Sequence, residues 1–346
     1  MKMKSFLKRI YYFSINHCIH LITCWILLYG CLTVLFSHNS NISWYSTIYL
    51  IVLTISLMLS LYIERYYPYF SPLTKIVHHL IITIALPILF LSTTEMIKST
   101  RNVLFDKELT EIDSVFFPFF SYGQIGIEID KHNLINPSTF HGKLLNDYFE
   151  ILYISYYLWG YLSFGVCAIE VLKYWIYRLV HQRNFLFSND ERDDISIQTG
   201  ILIQKEFDQK VLNMEYFIIL LSTTFSLVFL LNLLVPGKSP RIYLSNEYKN
   251  EIEGFGFTSW WKSHVDRDDS AGTFPSGHCG ETFAVAFGIY YSHKQLGIIV
   301  FIMSFLISIS TLWNRYHYVI DLIVGIICSL IGYVIANLYI KQKKNI

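Results

Sequence analysis

Residues 296–340 read LGIIVFIMSFLISISTLWNRYHYVIDLIVGIICSLIGYVIANLYI. Two apolar stretches, 296–313 and 318–340, are each about long enough to cross a bilayer as a helix. Only the short polar turn 314–317 separates them. The stretch therefore predicts a helical membrane hairpin that brings a histidine and an aspartate to the membrane surface.

The composition of the whole chain also indicates a membrane protein. Of its 346 residues, 53% are hydrophobic and 15% are charged, and the mean hydropathy is +0.40. An ordinary soluble domain is less apolar than this. The net charge of +1 gives no indication of nucleic acid as a partner. The six cysteines form no C-x-x-C pair, so we expect neither a disulfide framework nor a zinc site.

We predict an all-α, polytopic membrane protein with eight spans. The apolar stretches lie at about 17–36, 42–63, 74–93, 150–170, 213–236, 279–292, 296–313 and 318–340. The first stretch follows a basic start, as in a signal peptide, but it lacks a small-x-small cleavage site, so we interpret it as a retained helix. The division we expect is a helix pair over 1–70 and a six-helix core over 71–346.

An even number of spans places both termini on one side of the membrane, and basic residues near both ends predict that this side is cytoplasmic. These residues are Lys2, Lys4, Lys8 and Arg9 at one end and Lys341, Lys343 and Lys344 at the other. The 171–212 segment is then predicted to be a cytoplasmic loop. Loops 94–149 and 237–278 and the turn 314–317 are predicted to face the periplasm, the lumen or the exterior.

Aromatic residues are concentrated in one of these predicted outer loops. Phe116-Phe117-Pro118-Phe119-Phe120 precedes a more polar stretch. Aromatic rings favour the headgroup layer, which would make the segment interfacial. A loop that packs on its own domain explains the same residues.

His317 and Asp321 stand at positions i and i+4, so they share one face if the segment is helical. A carboxylate there holds an imidazole in one tautomer and stabilises its cation, as a nucleophilic or basic histidine requires. The alternative is a structural hydrogen-bonded pair at a helix end. Arg315, two residues earlier, adds a positive charge beside the pair.

Pro275-Ser276-Gly277-His278 forms a second candidate motif, because it is a tight turn that opens an apolar helix. Backbone N–H groups of Ser276 and Gly277 near a helix N-terminus suit phosphate oxygens. His278 is placed to donate a proton to an oxygen leaving group.

Lys238 and Arg241 follow the fifth predicted span in the sequence Pro236-Gly237-Lys238-Ser239-Pro240-Arg241. Basic residues at a membrane exit often serve only as interface anchors. Here they are predicted to emerge on the side of both histidines, and an arginine forks two hydrogen bonds onto phosphate oxygens.

Taken together, the order basic segment, Pro-Ser-Gly-His and His-x-x-x-Asp resembles the three motifs of the type 2 phosphatidic acid phosphatase superfamily. The resemblance covers about residues 74–340. The superfamily includes membrane lipid phosphatases and lipid phosphotransferases. The His-Tyr-x-x-Asp form of the third motif is similar to that of the branch that contains inositol phosphorylceramide and sphingomyelin synthases. The two N-terminal helices are then an addition to a six-helix core.

The resemblance implies a role for each matching residue. His317 would attack phosphorus and form a phosphohistidine, with Asp321 orienting its imidazole. His278 would protonate the leaving oxygen and later activate the water or alcohol that resolves the intermediate. The phosphate would be held by Lys238, Arg241, Arg315, Ser276 and Gly277. No metal ion and no cofactor is expected.

The chain departs from the usual motifs at two places. Lys238 and Arg241 are separated by two residues instead of six. The positions seven and six before the histidine hold Ser310 and Thr311 instead of serine and arginine, so Arg315 is the nearby arginine. The segment before the second motif is acidic and contains Asp266, Asp268 and Asp269. Such residues are found in metal sites and in solvated loops, and we favour a solvated loop.

The function expected from these residues is hydrolysis of a phosphomonoester or pyrophosphate of a phospholipid or polyprenyl carrier, with membrane lipids as the surroundings. A lipid phosphotransferase, in which an alcohol replaces water, would use the same residues. A non-catalytic membrane protein that binds an anion is the alternative from another class.

Overall fold

The computed structural model describes residues 18–36, 40–67, 70–100, 104–131, 139–187, 194–264 and 271–344. These residues form helices joined by turns, and they contain no β-strand. The predicted all-α fold is confirmed. The helices are α1 Cys18–Phe36, α2 Ser40–Tyr66, α3 Ser71–Thr100, α4 Asp106–Phe116, α5 Ile125–Lys131, α6 Phe140–Phe187, α7 Asp194–Leu234, α8 Pro240–Tyr243, α9 Phe257–His264, α10 Gly277–Ser292, α11 Lys294–Trp313 and α12 Val319–Lys343.

Among the described residues, seven helices are long and apolar enough to cross a membrane: α1, α2, α3, α6, α7, α11 and α12. The chain is thus a multi-pass membrane protein. The remaining predicted span, 279–292, corresponds to α10, which has only 16 residues and a length of about 24 Å. Neighbouring helices bury most of α10, so it needs less apolar length than a helix that faces lipid.

The prediction of a loop over 171–212 is wrong. Helices α6 and α7 have 48 and 41 residues and therefore extend well beyond the apolar spans at 150–170 and 213–236. Lys210 pairs with Glu170 at 3.2 Å, and the Arg178 guanidinium lies 5.5 Å from the Phe207 ring centre. Such contacts pair the two helices where hydropathy alone indicates a polar segment. Residues 188–193, between the two helices, lie outside the described residues.

Helix α1 packs against α2, α3 and α7, helix α2 packs against α1 and α3, and the four helices share one hydrophobic core. Leu53 of α2, Ile82 of α3 and Phe217 of α7 are fully buried in that core. The division at residue 70 stays a prediction. Because residues 1–17 lie outside the described residues, the cytoplasmic placement of the termini also stays a prediction.

The predicted outer loops are largely helical. Segment 94–149 contains the end of α3, all of α4 and α5, and the start of α6, and segment 237–278 contains α8 and α9. These short helices lie where the spans α3, α7 and α11 end and where α12 begins. They surround the candidate active site.

Candidate active site

The two histidine motifs meet at the first turns of α10 and α12. The Ser276 N–H donates to the carbonyl oxygen of Asp321 at 3.0 Å, and the ring centres of His278 and His317 are 5.7 Å apart. The helix α10 runs away from this point, and α11 returns to it after a reversal at His293. The predicted proximity of the two motifs is therefore present in the structure.

Glycines allow α10 and α12 to cross closely enough for this contact. A Cβ atom on Gly325 would lie 2.6 Å from the Ser276 carbonyl oxygen, and one on Gly280 would lie 3.0 Å from the Gly325 carbonyl oxygen. Such distances are below ordinary contact, so a side chain at Gly325 would separate the helices. Gly325 thereby sets the distance between the two motifs.

His317 and Asp321 form the predicted pair. Nδ1 of His317 lies 3.1 Å from Oδ2 of Asp321, and the same oxygen accepts the backbone N–H of Tyr318 at 3.0 Å. Because an ionised carboxylate only accepts, Nδ1 carries the proton and Nε2 carries a lone pair. Both side chains are buried, with His317 6% exposed and Asp321 inaccessible.

Burial lowers the pKa of His317 from its ordinary value of 6.5 to about 3, while a backbone hydrogen bond with Thr273 acts in the opposite direction. Burial disfavours the imidazolium because it removes the water that would solvate the charge. The imidazole is therefore neutral near neutral pH, which is the protonation state that a nucleophile needs.

Asp113, which belongs to none of the three sequence motifs, caps the first turn of α12. Its two carboxylate oxygens accept the backbone N–H groups of Val319 at 2.8 Å and Ile320 at 2.9 Å. Gln124 Nε2 donates to the same carboxylate at 2.7 Å. Because Asp113 lies about 200 residues before the helix that it caps, no local pattern signals the contact.

Tyrosines of α6 enclose His278, and these too were missed from the sequence. The ring centres of Tyr153 and Tyr156 lie 4.2 Å and 4.1 Å from that of His278. The two tyrosines are three residues apart and so share one face of α6. Burial, and then the neighbouring His317, lower the pKa of His278 well below its ordinary value of 6.5. To act as a proton donor, His278 therefore needs its cation stabilised, by the phosphate of a bound substrate and by the π-faces of these tyrosines.

Ser276 is the N-cap of α10 and is fully buried. Its Oγ accepts the backbone N–H of Cys279 at 3.3 Å. Gly277 begins the helix, and the N–H groups of Gly277 and His278 belong to its first turn. A helix N-terminus attracts anions, so the geometry suits the predicted phosphate site.

The predicted basic residues occupy different places. Arg241 lies beside the third motif, with its guanidinium 5.1 Å from the Tyr316 ring centre and its backbone N–H donating to the Arg315 carbonyl oxygen at 2.9 Å. Tyr316 in turn packs against Tyr153, with ring centres 4.4 Å apart, so Arg241 borders the histidine cluster. The backbone N–H of Lys238 donates to Asp106.

The Arg315 guanidinium points to another set of partners. It lies 3.9 Å from the Tyr248 ring centre, donates to the Asn250 carbonyl oxygen at 2.9 Å and pairs with Asp130 at 3.9 Å. To hold phosphate, the side chain would have to exchange these contacts. Its phosphate-binding role stays a prediction. The acidic residues Asp266, Asp268 and Asp269 lie outside the described residues.

The sequence profile of the PAP2 superfamily matches residues 207–335, which include all three motifs. A PA-phosphatase related-family protein from Dictyostelium discoideum is 32% identical over 261 residues, which cover 72% of this chain and 44% of that protein. The chain therefore spans less than half the length of this relative. No solved structure shows significant similarity. Together, the profile match and the relative show that the chain belongs to the type 2 phosphatidic acid phosphatase superfamily.

Proposed function

We propose that this protein is a membrane lipid phosphatase that hydrolyses a phosphomonoester or pyrophosphate of a phospholipid or polyprenyl carrier through a phosphohistidine. The observation that carries the proposal is the buried His317–Asp321 pair beside His278 at the first turn of α10. It unites a neutral nucleophile, an orienting carboxylate and a proton donor at one place.

The first step forms the covalent intermediate. Nε2 of His317 attacks phosphorus, an N–P bond forms, and the bond from phosphorus to the leaving oxygen breaks. His278 gives its proton to that oxygen, so a neutral alcohol leaves when the substrate is a phosphomonoester. Asp321 stabilises the positive charge that His317 acquires.

The second step releases phosphate and restores the enzyme. His278 removes a proton from water while the water oxygen attacks phosphorus, and the N–P bond breaks. The proton that His278 lost in the first step is thereby replaced. Arg241 and the first-turn N–H groups of α10 neutralise the charge on the phosphate oxygens, so the sequence of steps requires no metal ion.

An amphiphilic substrate fits the depth of the site. The reacting groups lie where α12 begins and where α7 and α11 end, at the boundary between apolar spans and polar connections. A lipid whose tails remain in the bilayer presents its phosphate at this level. With the predicted orientation, the site opens on the outer face.

The test is phosphate release by the detergent-purified protein from a panel of lipid phosphates. We expect the wild-type protein to release inorganic phosphate and His317→Ala to release none. The control His293→Ala, which removes an imidazole at the far end of α10, should release phosphate like wild type. Labelled phosphate that appears in a new lipid instead of in free phosphate would make the protein a phosphotransferase. Binding of lipid phosphates without turnover by folded protein would contradict an enzymatic role.

A further inference from the structure

We infer that helix α4 and the aromatic segment after it form a membrane-docking surface that seats a hydrocarbon chain of a lipid from the leaflet at which the candidate site opens. The docking surface comprises Val115, Phe116, Phe119, Tyr122 and Tyr243. The inference rests on the proposed function only where activity is the readout.

The depth of α4 follows from its contacts with the ends of spanning helices. The Phe105 N–H, just before α4, donates to the Pro236 carbonyl oxygen at 2.9 Å, two residues after α7 ends. At the other end, Asp113 accepts the N–H groups of Val319 and Ile320 in the first turn of α12. Helix α4 therefore lies across the ends of two spans, at the level of the bilayer surface.

The exposed side of α4 changes along the helix: its first turns expose Lys107, Glu108 and Glu111, and its last turn exposes Ile112, Val115 and Phe116. Leu109 and Asp113 are buried against the protein. On the outer side, Val115 is 76% exposed, and beyond the helix Phe119 is 90% exposed. Large apolar side chains exposed at the depth of the bilayer surface favour contact with lipid over contact with water.

A groove lies beside Val115 and Tyr122. Its volume is about 600 Å³, within the range of about 300–1,000 Å³ for small-molecule pockets. Val115, Tyr122, Tyr243 and Leu244 supply its apolar lining, and the side of α4 that carries Lys107, Thr110, Glu111 and Ser114 completes it. An apolar groove with charged residues beside it suits a lipid, whose hydrocarbon chain and headgroup meet at this level.

The same helix also supports the candidate site. Besides the contact of Asp113 with α12, Asp106 accepts the backbone N–H of Lys238. Lipid contact on the outer face of α4 therefore acts on a helix whose inner face positions two of the three motifs. Docking should favour substrates that are presented in a bilayer over the same headgroup in free solution.

The first test measures lipid contact without any need for activity. p-Benzoylphenylalanine replaces Phe119 or, as a control, Glu251, an exposed residue in the connection between α8 and α9. The protein is reconstituted in nanodiscs of radiolabelled phosphatidylcholine and irradiated. We expect label on the protein with the probe at position 119 and little with the probe at 251. Labelling with the probe at position 119 that is absent, or no stronger than with the probe at position 251, would overturn the inference.

The second test uses two phosphatidic acids that differ in chain length. Phe119→Ser should lower hydrolysis of the long-chain lipid in phosphatidylcholine vesicles by about tenfold, the order expected when one aromatic side chain no longer buries its surface in lipid. Hydrolysis of a short-chain, monomeric phosphatidic acid should be unchanged, and Phe119→Trp should retain both activities. Equal losses on both substrates, or no loss on either, would contradict the inference.

The two tests separate this inference from the proposed function. A wild-type protein inactive on both lipids, but labelled at position 119, would contradict the phosphatase and leave the docking surface standing. An active phosphatase with no labelling at position 119 and no effect of Phe119→Ser that depends on chain length would support the proposed function and contradict the docking surface.

Discussion

At the scale of single residues, the arrangement around His317 combines burial with one well-placed carboxylate. Oδ2 of Asp321 receives both the His317 imidazole and the Tyr318 N–H, whereas Oδ1 has no hydrogen-bond partner among the described residues. His317 and Asp321 are only four residues apart in the sequence, so the geometry of this pair is local and could be predicted. Its energetic cost lies in the burial of a carboxylate beside a neutral ring.

Replacing Asp321 by asparagine tests the orienting role. The amide oxygen can still accept the Tyr318 N–H, so the variant should fold, but it cannot stabilise an imidazolium as a carboxylate does. We expect kcat to fall by about 10³- to 10⁴-fold, the order found when a buried aspartate that orients a catalytic histidine is changed in this way. Turnover within a few-fold of wild type, in protein whose circular dichroism is unchanged, would contradict the role.

The buried imidazole of His317 should make stability depend on pH. Its pKa is 6.5 when unfolded and about 3 when folded, so between these values only the unfolded chain binds the proton. The folded state therefore loses stability as pH falls from about 6.5 towards 3, by at most about 1.4 kcal/mol per pH unit.

The comparison that isolates this effect is the melting temperature of wild type and of His317→Gln at about pH 7 and about pH 5. Other titrating groups contribute to both proteins, so the difference reports His317 together with its effect on the pKa of the neighbouring His278. The glutamine variant should lose less stability on acidification. Equal losses would mean that folding does not lower the pKa of His317.

The site residues that could be predicted from the sequence differ in one respect from those that could not. His278, His317 and Asp321 stand in short motifs whose spacing carries the chemistry. Tyr153 and Asp113 contact the motifs across more than 100 residues of chain, so their roles depend on how helices pack. The Arg315 guanidinium illustrates the same limit, because its partners lie in α5 and in the segment after α8.

At the scale of helices, the site depends on the first turns of α10 and α12. Ser276 caps one helix, Asp113 caps the other, and the bond from Ser276 to the Asp321 carbonyl joins them. The carboxylates of Asp321 and Asp113 already accept the N–H groups at the start of α12, so the helix N-terminus that suits a phosphate is that of α10. The apolar spans were predictable from hydropathy, but the extensions of α6 and α7 were not, because paired charged side chains stabilise helix outside the apolar stretch.

Asp113→Ala removes the carboxylate that caps α12. Loss of two acceptors for helix N–H groups should cost about 1–2 kcal/mol of folding stability, and the displaced first turn should lower kcat more than it raises KM. Glu108→Ala changes an exposed carboxylate of the same helix and is the matched control. If both variants behave alike in melting temperature and kcat, Asp113 does not position the site.

At the scale of the whole molecule, polar groups gather at both ends of the bundle. Opposite the candidate site, Lys75 of α3 pairs with Glu215 of α7 at 2.9 Å, and Tyr339 of α12 donates to the other Glu215 oxygen at 2.5 Å. About 27 Å of helix separates Tyr339 from Asp321. The network therefore joins three core helices without touching the reacting groups.

Lys75→Met should destabilise the protein without changing its chemistry. It leaves the buried Glu215 charge without its cation, which should cost about 2 kcal/mol after allowance for the partial exposure of Lys75. Adding Glu215→Gln should restore part of the melting temperature, and Lys107→Met at an exposed pair should change little. A lowered kcat in the fraction that remains folded would show that the two ends of the bundle are coupled.

The central claim, that phosphorus is bound by His317, is tested most directly by trapping the intermediate. Protein is mixed with a ³²P-labelled lipid phosphate, quenched in alkali, which preserves phosphohistidine, and digested for peptide mapping. The label should lie on the peptide that contains His317, accumulate in His278→Ala with a substrate whose leaving group needs no proton, and be absent from His317→Ala. Label on another residue, or rapid phosphate release by His317→Ala, would contradict the account.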